Sequence, residues 1–266
     1  MLAVNIQSMR YPSSDDGNDL IQNLHLSVSD GGFVSLLGRS GAGKTTLLRI
    51  IAGLERRFTG QIMIDGAPIL GPCTSVQLFF QDSRLLPWKT VFENVAFATM
   101  DPTGRTTSSQ VLTWLDRVGL SARHHDWPKN LSGGEASRVA IARSLVVQPR
   151  ALLLDEPFGH LDLMTRSEIQ DELIRDLAVT QPLVLMVSHS IDDAVFLSDE
   201  VHILSTRPMC VLRSFKVPVP RPRFRGQPEL SRITQQITHY LQNNERDPAC
   251  VSPTSANLHQ GTIRHK

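Results

Sequence analysis

The stretch GRSGAGKTT, residues 38–46, matches the spacing G-x-x-x-x-G-K-[ST] without a gap. Before it stands GGFVSLLG (31–38), which is short, apolar and bounded by glycines, as a buried parallel strand is. After it comes KTTLLRIIAGL (44–54), where Leu47, Leu48, Ile51 and Leu54 recur at helical spacing and Gly53 marks the end. Strand, glycine loop and helix in this order form a phosphate cradle. The glycines let backbone N–H groups curl around a phosphate, Lys44 adds a positive charge, and the Thr45 hydroxyl is offered to Mg2+. Gly38, Arg39, Ser40, Gly41, Ala42, Gly43, Lys44, Thr45 and Thr46 are therefore the expected phosphate-binding residues. A glycine turn that merely opens a helix would not need the lysine and threonine in register.

RALLLDEP, residues 150–157, supplies a second half: a buried strand ending in two adjacent carboxylates. At the carboxyl end of a strand beside the phosphate loop, Asp155 can hold Mg2+ through water, and Glu156 can polarise the attacking water. Four apolar residues leading into Asp-Glu make a solvated acidic turn an unsatisfactory reading. Further short apolar runs at 76–80, 183–187 and 201–204 read as core strands. Between Leu112 and Leu145 the pattern is helical, with one stripe of Leu112, Leu115, Val118 and Leu120 and another of Val139, Ala142, Leu145 and Val146. Strands alternating with helices on either side of a helical insert predict an α/β nucleotide hydrolase with a parallel sheet.

Composition narrows the function. Among 266 residues, 41% are hydrophobic and 20% charged, which suits a globular core, and 27 basic against 26 acidic side chains leave no global field to attract nucleic acid or anionic lipid. Three widely spaced cysteines suggest neither a disulfide framework nor a zinc site, so a reducing cytosol is the default. The first twenty residues lack the pattern of a secretory signal, and no apolar run approaches the roughly 18 residues of a membrane span. Any membrane role must then come through a partner. VPVPRPRFRG (217–226) cannot be a core strand and reads as an extended arm, 229–241 has helical spacing, and 243–266 reads as a flexible tail.

NLSGGEASRVA, residues 130–140, places a second serine-glycine cradle at a helix start. With LSGGE, Gln81 upstream, DEP downstream and His189 after a final strand, the chain resembles the nucleotide-binding subunit of an ABC transporter, in order from Tyr11 to about Arg225. The resemblance implies a RecA-like P-loop core with a small antiparallel β part and a helical subdomain at about 82–148. It sets a cassette domain at 1–217 and an arm, short helix and tail at 218–266. It implies ATP and Mg2+ as ligands and a head-to-tail homodimer, in which Ser132, Gly133, Gly134 and Glu135 of one copy clasp the nucleotide held by the phosphate loop of the other. It further implies that Tyr11 stacks on adenine, that Gln81 touches Mg2+ and water, that Asp162 communicates across the dimer, and that His189 contacts the γ-phosphate. Taken alone, a loop tyrosine, a glutamine after a strand or a single histidine carries no such signal. The chain departs from the family at Glu135, in place of the more usual glutamine, and at Ser190, where aspartate is common.

FFQDSRLLPWKTVFENVAF (79–97) sets Leu85, Leu86, Pro87 and Trp88 just after Gln81. This apolar cluster is expected either to meet a permease or to cap the insert's own core. The stretch and the PRPR arm resemble importers of aliphatic sulfonates, taurine and nitrate, which implies permease subunits, an extracytoplasmic solute-binding protein and a peripheral place at the cytoplasmic face of the inner membrane. A soluble ABC ATPase acting on nucleic acid or ribosomes is the other class considered. Against it stand a single cassette and the absence of heptads, so no nucleic-acid partner is expected.

Overall fold

The computed structural model describes residues 1–11, 19–100, 107–159 and 161–244. In chain order the elements are β1 (Leu2–Met9), β2 (Ile21–Val28), β3 (Phe33–Leu37), α1 (Lys44–Ile51), β4 (Thr59–Ile64), β5 (Ala67–Pro68) and β6 (Val76–Phe79). There follow α2 (Val91–Ala96), α3 (Ser108–Arg117), α4 (Gly133–Leu145), β7 (Ala151–Asp155), α5 (Leu163–Thr180), β8 (Leu183–Ser188), α6 (Ile191–Leu197), β9 (Glu200–Leu204), β10 (Val211–Lys216) and α7 (Pro228–Asn243).

Two sheets result: an antiparallel one in the order β2-β1-β4-β5, and a six-stranded one in the order β10-β9-β3-β8-β7-β6. Within the second, β9, β3, β8, β7 and β6 run parallel and β10 is antiparallel to β9. The central strands read as unbroken apolar runs because both their faces are covered. On β8, Leu183, Leu185 and Val187 face a core shared with α1 and the antiparallel sheet, while Val184 and Met186 face a second core built from α2 to α5. β7 divides in the same way, Leu153 to the first core and Leu152 and Leu154 to the second. β1 instead alternates, burying Leu2, Val4 and Ile6 and exposing Asn5 and Gln7, until an irregularity between Ile6 and Ser8 restores Met9 to the core.

Several expectations need correction. Leu54 lies past the end of α1 and is 53% exposed, because the chain turns at Gly53 (φ 72°). Leu112 is also exposed, and the buried stripe of α3 consists of Val111, Trp114 and Leu115. Cys210 is disulfide-bonded, which the spacing of the cysteines did not suggest. The arm at 217–227 has no strand but is packed rather than loose: Val217 and Val219 are buried. The buried Arg223 guanidinium donates to the carbonyls of Val195, Phe196, Val217, Ser198 and, through Nε, Val219. α7 then sets Leu230 and Ile237 into a third core with α6 and β9. Of the tail expected at 243–266, Asn243 instead closes α7, and 245–266 lie outside the described residues.

Candidate functional site

Four site segments sit at the carboxyl ends of four adjacent strands. The phosphate loop follows β3, His189 follows β8, Asp155 and Glu156 end β7, and Gln81 follows β6, and the sheet order is β3-β8-β7-β6. That edge is where open parallel sheets offer a crevice.

The phosphate loop is fully formed. Gly41 (φ 78°) and Gly43 (φ 96°) occupy left-handed backbone that only glycine adopts without cost, and a Cβ on Gly43 would also press on Leu20. Lys44, only 6% exposed, opens α1 and folds back, its Nζ donating to the carbonyls of Gly38 (2.8 Å) and Arg39 (2.9 Å). Burial lowers its pKa, against the pull of Glu156 and Asp155. Ala42 is buried beneath the loop, while Arg39, Ser40 and Gly41 form its exposed lip. Thr46 Oγ1 lies 3.1 Å from the Tyr11 hydroxyl, and the Tyr11 ring packs on the first core with the Arg57 guanidinium 5.9 Å from its centroid.

Asp155 is 6% exposed and hydrogen-bonds to the side chain of Thr45. Burial, first of all, pushes its carboxyl above the usual carboxylate range. A desolvated carboxylate beside a threonine hydroxyl, all oxygen donors, fits a hard divalent cation that shares its shell with substrate phosphates. Among the described residues no group of three His, Cys, Asp or Glu could hold a metal ion. Glu156 follows in a left-handed conformation (φ 47°), so its side chain departs from the strand's direction, and Oε2 lies 3.0 Å from His189 Nδ1. A Cβ built on Gly159 would fall 3.6 Å from Gln81 Nε2 and 3.9 Å from Glu156 Oε2. The structure thus brings Gln81, Glu156 and His189 together, with Gly159, a residue the sequence reading passed over, leaving the space between them. A glycine three positions after the second carboxylate was the available signal.

The second cradle belongs to the other side of the sheet. Ser132 is the N-cap of α4: its Oγ accepts from Glu135 N–H at 3.2 Å, and Glu135 Oε2 accepts from Ser132 N–H at 2.8 Å. The Ser132 O–H is left to donate. Glu135 Oε1 also accepts from Arg123 at 2.8 Å, so its carboxylate is turned back onto the cap and held below the usual range, chiefly by the Ser132 N–H. The Glu135 carboxylate is thus engaged within its own chain. Gly133 is exposed, and a Cβ on it would meet nothing within 4 Å, whereas one on Gly134 would strike Thr165 Cγ2 at 2.7 Å. α4 packs into the second core and α1 into the first, so the two cradles of one chain are carried on opposite faces of the sheet.

Asp162 caps α5, accepting from the N–H groups of Met164 and Thr165, each at 3.1 Å, beside Leu163 and Met164, which are 77% and 74% exposed. Ser190 caps α6 through Asp193 N–H, a local reason for serine at that position. Of the apolar cluster after Gln81, Leu85 packs on the second core, as expected of a cap on the insert, while Trp88 stays 69% exposed.

A family model described as ABC transporter matches residues 21–159. This chain belongs to the ABC transporter family. Among similar ABC transporter proteins, the aliphatic sulfonates import ATP-binding protein SsuB 1 of Xanthomonas axonopodis pv. citri is 44% identical over 209 residues, 77% of this chain and 83% of that one. The protein of the same name from Rhodococcus jostii is 43% identical over 218 residues, 82% of this chain and 85% of that one. Among solved structures, the dimeric bacterial ABC transporter cassette MJ0796 aligns with a TM-score of 0.72 at 28% identity, over 83% of this chain and 100% of that one. The post-hydrolysis dimer of the same cassette, bound to ADP and Pi, aligns with a TM-score of 0.70. This ABC transporter chain therefore has the cassette fold, with mixed parallel and antiparallel sheets, and is an ATP-hydrolysing subunit. Among its described residues no helix is long and apolar enough to cross a membrane.

Proposed function

We infer that the chain energises import of aliphatic sulfonates from the cytoplasmic face of the inner membrane, as a homodimer docked on permease subunits and served indirectly by an extracytoplasmic solute-binding protein. The observation that carries the enzymatic part is the convergence of Lys44, Asp155, Glu156, Gln81 and His189 at neighbouring strand ends. The choice of solute rests on relatives from several genera that bear the aliphatic sulfonate name.

The phosphate loop and the positive end of α1 bind the nucleotide's phosphates, with Lys44 exchanging its loop carbonyls for phosphate oxygens. Thr45, Asp155 and Gln81 would hold Mg2+, which when bound neutralises phosphate charge. Glu156 accepts the proton of the attacking water, and His189 steadies that carboxylate through Nδ1 and reaches the γ-phosphate. Tyr11 offers its ring to adenine, a contact that contributes about 1–3 kcal/mol where it forms. Ser132, through its O–H, and the N–H groups of Gly133 and Gly134 complete the γ-phosphate shell of the partner copy, and Asp162 signals between the copies. Since α1 and α4 lie on opposite faces of one sheet, a head-to-tail pair is the arrangement that unites them. Trp88 and its neighbours meet the permease.

A strain lacking the gene should fail to grow with an alkanesulfonate as its only sulfur source yet grow on sulfate. The wild-type gene should restore growth and Lys44→Ala should not. Unimpaired growth of the deletion strain on alkanesulfonates, with no second importer present, would assign another solute.

A further inference from the structure

Arg143, on the far end of α4 from Ser132, meets no carboxylate among the described residues. Its guanidinium donates to two backbone carbonyls, Nη2 to Ser83 at 2.7 Å and Nη1 to Arg84 at 3.0 Å. Burial alone depresses its pKa, with no charge partner compensating. A half-buried cation without a counterion is tolerated where hydrogen bonds satisfy its N–H groups. What they do here is grip the chain two and three residues after Gln81. The gripped segment is itself unusual: Arg84 stands in left-handed backbone (φ 44°), with its guanidinium 3.7 Å from the centroid of the Phe80 ring.

The next part of the same loop is held from inside the helical layer. Asn94 of α2 is fully buried; its Oδ1 accepts from Leu86 N–H at 2.7 Å, and its Nδ2 donates to the carbonyls of Leu86, Lys89 and Thr90 at 3.2, 3.1 and 2.9 Å. Residues 83–90, which carry the exposed Trp88, are thus suspended between α4 and α2 by side-chain hydrogen bonds to backbone. Such bonds fix position without fixing sequence.

We propose that Arg143 is a positioning residue that makes the signature helix and the loop after Gln81 one rigid piece, so that engagement of Ser132–Gly134 by a partner's nucleotide displaces Gln81 and Trp88 together. This rests on the half-site reading above. One chain would then serve its partner's ATP at one end of α4 while adjusting its own Gln81 and its permease-facing surface at the other.

The test uses Trp88 as a reporter in the full chain carrying Glu156→Gln, Trp114→Phe and Trp127→Phe, with ATP and Mg2+ as the probe. Size-exclusion chromatography first establishes the nucleotide-dependent dimer; if none forms, it is the half-site reading that fails. Given the dimer, Trp88 emission should shift on ATP addition. Arg143→Gln should leave the ATP dependence of dimer formation within about twofold and cut the shift to less than about a third, and Arg143→Lys should recover roughly half of it. The proposal is overturned by a dimer without any Trp88 shift, by an undiminished shift in Arg143→Gln, or by parallel loss of dimer and shift in both variants. Should Arg143→Gln not fold, Arg143→Lys decides alone, and an undiminished shift there overturns the proposal.

Discussion

The two phosphate cradles of this chain are built on opposite plans. Around Lys44 the charged groups are internally satisfied beneath an exposed lip at residues 39–41: the lysine is 6% exposed, its ammonium is wrapped by the carbonyls of Gly38 and Arg39, and Asp155 is buried against Thr45. Around Ser132 the backbone is capped, but the outer side is open. Gly133 has nothing within reach of a Cβ, Ser132 is exposed, and Glu135 is committed to the cap and to Arg123. An open outer side suits the proposed role of serving a partner copy's nucleotide.

The largest expected effect lies at the closed site. Glu156→Gln should lower ATP turnover by about 10²–10⁴-fold while leaving nucleotide affinity intact, because it removes the proton acceptor and none of the phosphate contacts. Steady-state phosphate release and equilibrium binding, measured on one preparation, separate the two; turnover at the wild-type rate would move the general base elsewhere. The open site is broken more selectively by Gly133→Ala. This chain leaves room for the methyl, so the melting temperature should hold or rise slightly, yet the group stands where a partner's phosphate must approach and should slow hydrolysis about a hundredfold. Full activity in that variant would mean that nothing docks over Gly133.

The smallest effect is expected at Glu135. Glu135→Gln keeps a side-chain oxygen for the Ser132 N–H but loses the charge facing Arg123, so hydrolysis should change by less than about twofold and thermal stability should fall slightly. Because the folded protein holds this carboxyl below its ordinary value of about 4.3, the stabilisation is complete above that pH and is lost as the pH falls through the lower folded value. Melting curves of the two proteins should differ at pH 7 and converge in acid. A large gain in activity on removing the charge would show that Glu135 does face phosphate.

Much of this was legible in the sequence. The parallel strands announced themselves because both faces are buried, and the phosphate loop because its glycines, lysine and threonine answer to one ligand. β1 and β2 did not: each is half exposed, with its register set by partners as distant as Ile64, and the small antiparallel part was expected only through family resemblance. Leu54 and Leu112 show helical spacing carried past a helix end and onto an outer face. Glu135 could not be judged from its neighbours, since the arginine that turns it aside lies twelve positions away at Arg123. Arg143 looked like any helical arginine; only the fold brings the Ser83 and Arg84 carbonyls to it.

The central claim, that each active site is shared between two copies, is tested most directly by mixing two defective proteins. Lys44→Ala spoils the closed cradle and Gly133→Ala the open one, and a mixed dimer unites the surviving halves in one of its two sites. Equal mixing of the two inactive variants should therefore restore roughly a quarter of wild-type ATP hydrolysis, the share of intact composite sites in a random pairing. A mixture no more active than its two components would contradict the account.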